Sequence, residues 1–150
     1  MKVVIQRVNK ASVSIDGEIT AQIKKGLLIF VGIMKGDSDK VLHTLADKII
    51  KMRVFENAKL KFDRSLRDVD GEILIISQFT LFADYSKGRR PFFGEAEESK
   101  KAKKLYEQFI AVLKELYNTE KVQAGVFAAY MQIESENDGP VTLILDSKNV

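Results

Sequence analysis

The chain of 150 residues contains no cysteine. Disulfides, thiolate zinc sites and a cysteine nucleophile are therefore excluded. It contains one histidine, His43, so multi-histidine metal sites are excluded as well. A Ser-His-Asp triad would need His43 as its base, yet His43 sits in a helical pattern among charged neighbours, where a solvated helix face is the simpler reading. Hydrolytic chemistry in this chain has to manage without the usual imidazole base. Neither GxGxxG nor GxxxxGK(S/T) occurs, which removes the usual phosphate-cradling loops of nucleotide-dependent enzymes. The longest apolar runs, such as residues 26–34, are far too short to cross a bilayer. Residues 1–8 alternate apolar and polar side chains and lack the apolar stretch of a signal peptide. The expectation is a cytoplasmic protein with no membrane partner.

Hydrophobic residues make up 45% of the chain and charged residues 30%, which is a globular balance and argues against disorder. A single domain of this size buries about 69% of its open-chain surface, enough for a core without staples. The net charge of +3 is unevenly spread, and residues 85–104 hold seven basic against three acidic side chains. Such a basic band suits a phosphate-bearing partner, although surface lysine is common and the band alone is weak support.

The pattern along the chain predicts one α/β (α+β) domain over residues 1–150, with a mixed sheet and two main helices. Residues 2–8 read as a strand. Residues 12–23 alternate around Asp16-Gly17, a two-residue hairpin signal. Residues 27–33 are almost wholly apolar, as in a strand covered on both faces. Asp37-Ser38-Asp39 offers N-cap oxygens to a helix whose apolar stripe is Val41, Leu42, Leu45, Ala46, Ile49 and Met52. Residues 53–56 read as a short strand and 57–71 as a polar loop. Asp68, Asp70, Gly71 and Glu72 faintly suggest a calcium loop but lack the alternating ligands of an EF-hand, so a turn is preferred. Residues 73–77 form a buried strand. A second helix is predicted from Gly94-Glu95, with Glu95, Glu97 and Glu98 at the positive end of its dipole and Ala102, Leu105, Tyr106, Phe109, Val112, Leu113 and Leu116 on its apolar face. Residues 129–133 and 141–146 read as two strands flanking Asn137-Asp138-Gly139-Pro140.

Three segments carry chemistry. In Ser77-Gln78-Phe79-Thr80-Leu81-Phe82 a hydrophobic strand runs straight into polar residues. Backbone donors at a strand end lack a ladder partner, Gln78 offers donors and an acceptor, and Phe79 or Phe82 could stack on a base. A strand end with satisfied hydroxyls is the alternative. Lys87-Gly88-Arg89-Arg90-Pro91 is a compact cationic loop beside Phe92 and Phe93, fit for phosphates and unstacked bases or else merely solvated. Gly139-Pro140 is either a simple turn or one of the minority X-Pro bonds that are cis.

Taken together, these segments resemble the D-aminoacyl-tRNA deacylase family over nearly the whole chain. The opening Val4-Ile5-Gln6-Arg7-Val8 with Ala11-Ser12-Val13 is similar to that family's start. Residues 77–81 resemble its signature strand, and Lys87-Gly88-Arg89-Arg90-Pro91 with Phe93 its basic loop. Gly125, Phe127, Ala129 and Met131 resemble a third block, and Asn137-Asp138-Gly139-Pro140-Val141-Thr142 its chirality motif. Phe82 stands where Tyr is frequent, Phe92 where Ser is frequent and Ala128 where Gly is frequent.

The resemblance implies a curved, barrel-like sheet in a homodimer, with no cofactor or metal. It implies hydrolysis of the ester between a D-amino acid and the 3′-terminal adenosine of tRNA, with glycine on alanine tRNA as a further substrate. Accepting many side chains while rejecting one hand at Cα calls for rigid backbone at Cα. Gly139-Pro140, held cis, would be that wall in the partner subunit's pocket, and a cis X-Pro unit is stiff because its isomerisation barrier is about 18–20 kcal/mol. Phe79 and Thr80 would supply backbone oxyanion donors, with the tRNA 2′-hydroxyl assisting. Thr80 Oγ as a nucleophile is the alternative, but no base near it is evident from sequence. Ser77 and Gln78 would hold the adenosine, Phe127 and Met131 would line the substrate site, and Lys87, Arg89 and Arg90 would meet tRNA rather than DNA. The rival readings are an RNA-binding module without catalysis, a carboxylate-dependent hydrolase of small esters, and a dimerisation domain using residues 141–145.

Overall fold

The computed structural model describes residues 1–149. It contains eight strands and two α-helices. Strand β1 (Lys2–Ile15) turns at Asp16-Gly17 into β2 (Glu18–Ile23). Both turn residues have positive φ, 52° and 84°, as the two-residue hairpin expected here requires. Strand β3 (Gly26–Gly32) then continues beside β1, with Val8 opposite Gly26 just as Ala11 faces Ile23. The first 32 residues thus form one long hairpin, broken only at Lys24-Lys25. At that break β3 lies against the start of β6 (Glu72–Ser77), and a Cβ on Gly26 would come within 1.9 Å of the Glu72 carbonyl oxygen.

Strand β6 pairs in parallel with β3, and β7 (Val122–Ala124) in parallel with β6. Parallel neighbours need crossovers, and the two helices occupy them: α1 (Leu42–Lys51) between β3 and β6, α2 (Ser99–Leu116) between β6 and β7. Strand β8 (Gln132–Asp146) lies along the other edge of β1. Strand β2 comes back toward β6 and β7, so the mixed sheet curls almost into a barrel. A two-stranded ribbon of β4 (Phe55–Glu56) and β5 (Phe62–Arg64) stands apart. No helix among the described residues is long and apolar enough to cross a membrane.

The apolar runs in β3 and β6 follow from burial on both faces. Leu27, Ile29, Val31, Ile73 and Ile75 pack toward the helices, against Leu45, Ile49, Tyr106, Phe109 and Leu113. Leu28, Leu74 and Ile76 face the inside of the curl with Val8, Val13 and Ile23. Each large side chain so buried stabilises by about 1.5–3 kcal/mol.

The structure departs from the sequence pattern in several places. The expected N-cap at Asp37-Ser38-Asp39 does not form: a 3-10 turn over Asp39–Val41 precedes α1, neither has a side-chain cap bond, and the Asp37 carboxylate instead holds the Met34 N–H and the Met1 amine. Helix α2 begins at Ser99, because Ala96 forms an antiparallel bridge with Met34, just past the end of β3: Lys35 N–H donates to Glu95 O at 2.9 Å and Glu97 N–H to Ile33 O at 3.0 Å. Residues 62–64 form a strand inside the segment expected to be a loop, and β7 is too short to show periodicity. Residues 132–146 are one strand, not two around a turn. Gln6 faces Thr142 while Val8 faces Asn137, so the four residues Asp138, Gly139, Pro140 and Val141 bulge out opposite Arg7. A bulged edge strand accepts proline, which has no N–H to lose. Of the acidic stretch at 68–72, Asp68 and Asp70 lie in a turn, in which Asp68 accepts the Ser65 N–H and hydroxyl, each at 2.7 Å, and Glu72 opens β6.

Candidate active site

The C-terminal end of β6 leaves the sheet at Gln78, whose N–H makes a last bond to Val31 O at 2.8 Å. The chain then tightens into a 3-10 turn over Phe79–Phe82. The first N–H groups of such a turn have no preceding carbonyl in reach. Among the described residues, those of Phe79 and Thr80 meet no acceptor. Phe82 is buried and anchors the turn over Gly32, where a Cβ would lie 2.7 Å from the Phe82 ring and 3.1 Å from Gln78 O. The absence of a side chain on Gly32 therefore fixes where these donors stand.

A cleft of about 250 Å³ opens beside this turn. Its floor is Val31, Ile33, Ser77 and Gln78, with Phe79 at its edge. Its walls come from the entry to α2 (Ala96, Glu97, Ser99, Ala102) and from Phe127 and Ala128 of the loop before β8. Buried Tyr106 of α2 holds the two sides together: its hydroxyl lies 2.8 Å from Ile75 O and 3.2 Å from Gly125 O, and its ring sits 5.9 Å from that of Phe127. Burial pushes the Tyr106 phenol above its ordinary pKa, so it stays a neutral donor. Ala128 adopts φ 61°, the left-handed region that costs an L-residue roughly 1–2 kcal/mol.

Among the described residues, Glu97 is the one charged side chain lining the cleft. Lys101 at 2.5 Å and the Glu98 N–H at 3.0 Å bind its carboxylate and hold its pKa below the usual value. His43 is exposed on α1 and does not line the cleft. Among the described residues no group of three or more His, Cys, Asp or Glu side chains could hold a metal ion.

Ser77, Gln78, Phe79 and Phe127 thus come together at one cleft. Thr80 is exposed one residue beyond the lining, and Met131 packs behind Gly125, where a Cβ would meet its sulfur at 2.7 Å. Lys87, Arg89 and Arg90 project from a loop closed by mutual backbone bonds between Asp84 and Phe92 (2.8 and 2.9 Å). Among the described residues these three cations have no acidic partner. Asp84 is instead held by its own turn: the Ser86 N–H and hydroxyl bind its carboxylate and lower its pKa. Phe93 turns inward, its ring 4.9 Å from Phe79 in an edge-to-face contact.

Gly139 and Pro140 stand elsewhere. They are exposed on β8, joined by a cis peptide bond, and do not line the cleft of their own chain. Their support is Arg7, 4% exposed. Its guanidinium donates to Val54 O at 2.7 Å and Asp138 O at 3.2 Å, and pairs with Asp138 at 3.0 Å and Glu56 at 3.5 Å. The sequence pattern gives Arg7 no role, although a signal is present: it continues the inward parity of Val3 and Ile5. In the same pattern Glu97 is only a helix-dipole charge, and Tyr106 only part of an apolar stripe.

Residues 4–146 match the family described as D-Tyr-tRNA(Tyr) deacylase. Proteins named D-aminoacyl-tRNA deacylase are similar over the full chain. The one from Thermosipho melanesiensis is 49% identical, with 100% of this chain and 99% of the relative covered. That from Aquifex aeolicus is 48% identical with both chains covered completely, and that from Clostridium tetani is 51% identical over 100% and 99%. The solved structure of a protein named c-Myc DNA Unwinding Element Binding Protein superposes with a TM-score of 0.92 at 40% identity, covering 97% of this chain and 98% of that one. A probable eukaryotic D-amino acid tRNA deacylase shares the fold at a TM-score of 0.84 and 15% identity, over 96% and 97%.

Proposed function

The chain belongs to the D-Tyr-tRNA(Tyr) deacylase family, and from that premise we propose that it hydrolyses the ester between a D-amino acid and the terminal adenosine of tRNA. The observation that carries this reading is the end of β6: two unpaired backbone N–H groups, at Phe79 and Thr80, beside a cleft flanked by an acid-free cationic loop. In the reaction, water oxygen bonds to the ester carbonyl carbon, the bond to the ribose oxygen breaks, and that oxygen leaves with a proton. The carbonyl oxygen gathers negative charge on the way, and one preorganised donor to it is worth about 10²–10³ in rate. The cleft lacks an imidazole, so the ribose 2′-hydroxyl of the substrate is the nearest group able to relay the proton. Ser77 and Gln78 hold the adenosine, Phe127 lines the site with Met131 supporting its loop, and Thr80 positions the turn.

Selection of the D hand falls to main chain. Gly139 and Pro140 are exposed on an edge strand away from their own cleft, as suits a wall that enters the cleft of a second copy. The homodimer that this requires is consistent with β8, which among the described residues pairs only with β1, and with Ile144 on that strand, which is 70% exposed. A wall where an L side chain would point excludes every L residue and admits glycine, including glycine mischarged on alanine tRNA. The partner is tRNA, met by Lys87, Arg89 and Arg90, in a reaction that needs no cofactor and is suited to the cytoplasm.

The test is deacylation of tRNA charged with D-Tyr, L-Tyr or Gly. Loss of the D-Tyr and Gly esters with L-Tyr intact is expected, and equal loss of both enantiomers would refute the wall. One structural relative is named for binding DNA, which raises a second reading, nucleic-acid binding alone; a protein of that kind would bind charged tRNA and leave every ester in place.

A further inference from the structure

We propose that Phe92 is a stacking platform for the unpaired nucleotide that precedes the terminal adenosine of the bound RNA. This rests on the tRNA reading above and assigns a surface that the reading leaves unused. Successive residues of an extended segment project to opposite faces. Phe93 packs on Phe79, at the edge of the cleft, with ring centroids 4.9 Å apart, so its neighbour Phe92 faces the other way. Its main chain is fixed by the two bonds to Asp84, at 2.8 and 2.9 Å. Its ring lies on Gly94, where a Cβ would come within 2.2 Å of a ring carbon, and 63% of the residue remains exposed. The ring is thus held on one side and bare on the other.

The surroundings select the occupant. Residues 85–94 contain no acid, and Lys87, Arg89 and Arg90 have no acidic partner among the described residues. A flat aromatic beside unpaired cations complements a single-stranded nucleotide, with phosphate on the arginines and base on the ring. A protein partner held by apolar contact alone would have no use for the cations.

The probe is an acceptor-stem hairpin RNA with an unpaired 3′ tail, carrying 2-aminopurine at the nucleotide before the terminal adenosine. Stacking on Phe92 quenches its fluorescence. Phe92→Ser is expected to abolish the quench and to raise KM for D-Tyr-tRNA about tenfold, the range for one base–aromatic stack. Phe92→Tyr keeps both, which separates stacking from misfolding. The salt slope of binding stays at the wild-type value in Phe92→Ser but falls by about 0.7 in Arg90→Gln, since only the arginine releases a counterion from the single strand. Unchanged quench and KM in Phe92→Ser would overturn the inference. So would an unquenched tail on a wild-type protein that still deacylates D-Tyr-tRNA, with the functional reading left intact. A wild-type protein that leaves D-Tyr-tRNA untouched would overturn both.

Discussion

The cleft at the end of β6 and the Gly139-Pro140 bulge on β8 are built in opposite ways. The cleft stands on a strand whose residues 73–76 are all buried, and its donors are placed by packing: Phe82 in the core, Gly32 beneath it, Tyr106 across the two walls. The bulge stands on an edge strand none of whose residues is fully buried, and its main support is the buried guanidinium of Arg7. A core resists change in volume, whereas a polar tie resists loss of a partner. Damage to the two regions should therefore differ in kind.

The largest effect is expected at Gly32. Gly32→Ala forces the 3-10 turn away from β3, and displacement of reacting groups by about 1 Å costs on the order of 10²-fold in rate. We expect kcat/KM for D-Tyr-tRNA to fall at least that far, with stability reduced by about 1–3 kcal/mol through overpacking. Wild-type turnover in Gly32→Ala would show that the position of the turn is irrelevant.

Arg7→Ala should act on the other region. Asp138 and Glu56 are about one-third exposed, which softens the loss of the ion pairs, so the expected destabilisation is about 2–4 kcal/mol. The sharper readout is selectivity: the ratio of D-Tyr to L-Tyr ester cleavage falls in Arg7→Ala and not in Gly32→Ala. Arg7→Lys recovers little, because a point charge cannot serve Val54 and Asp138 at once.

Tyr106→Phe removes the hydroxyl between the two walls. Ile75 O keeps the Gly125 N–H at 2.9 Å, so one lost bond of about 1 kcal/mol is expected, lowering Tm by roughly 2–4 °C. Ala128→Gly is the smallest effect and of opposite sign. It relieves a left-handed alanine and should stabilise by up to about 1 kcal/mol by chemical denaturation. A loss of stability would mean that the methyl group packs usefully at the cleft mouth.

The same contrast explains what could be read from the sequence. The long hairpin, β3, β6 and both helices follow from periodicity and from Asp16-Gly17, since each obeys a local rule. The start of α2 falls later than its pattern predicts, because the pairing of residues 95–97 with the end of β3 is a long-range contact with no local signature. Residues 137–142 have the composition of a turn, and only the partner strand makes them a bulge. Ser77, Gln78, Phe79 and Phe127 meet at one cleft. That Gly139 and Pro140 act away from their own cleft is implied by the family resemblance alone, because no local pattern encodes topology.

The central claim is that cleft and wall, apart within one chain, meet between two copies. Gly139 has φ 120°, and a Cβ there would lie 2.9 Å from Val141 and 3.3 Å from Arg7, so Gly139→Ala distorts the wall and leaves the cleft whole. Gln78→Ala does the reverse. Gly139→Ala alone should cleave D-Tyr-tRNA and L-Tyr-tRNA alike, and Gln78→Ala alone should cleave neither. If the wall acts across the dimer, refolding equal amounts of the two together sets the intact cleft of each mixed dimer against an intact wall, so L-Tyr-tRNA cleavage falls to about half that of the same amount of Gly139→Ala refolded alone, with D-Tyr-tRNA cleavage kept. If L-Tyr-tRNA cleavage does not fall, although mixed dimers form, the wall does not act across the interface and the account is wrong.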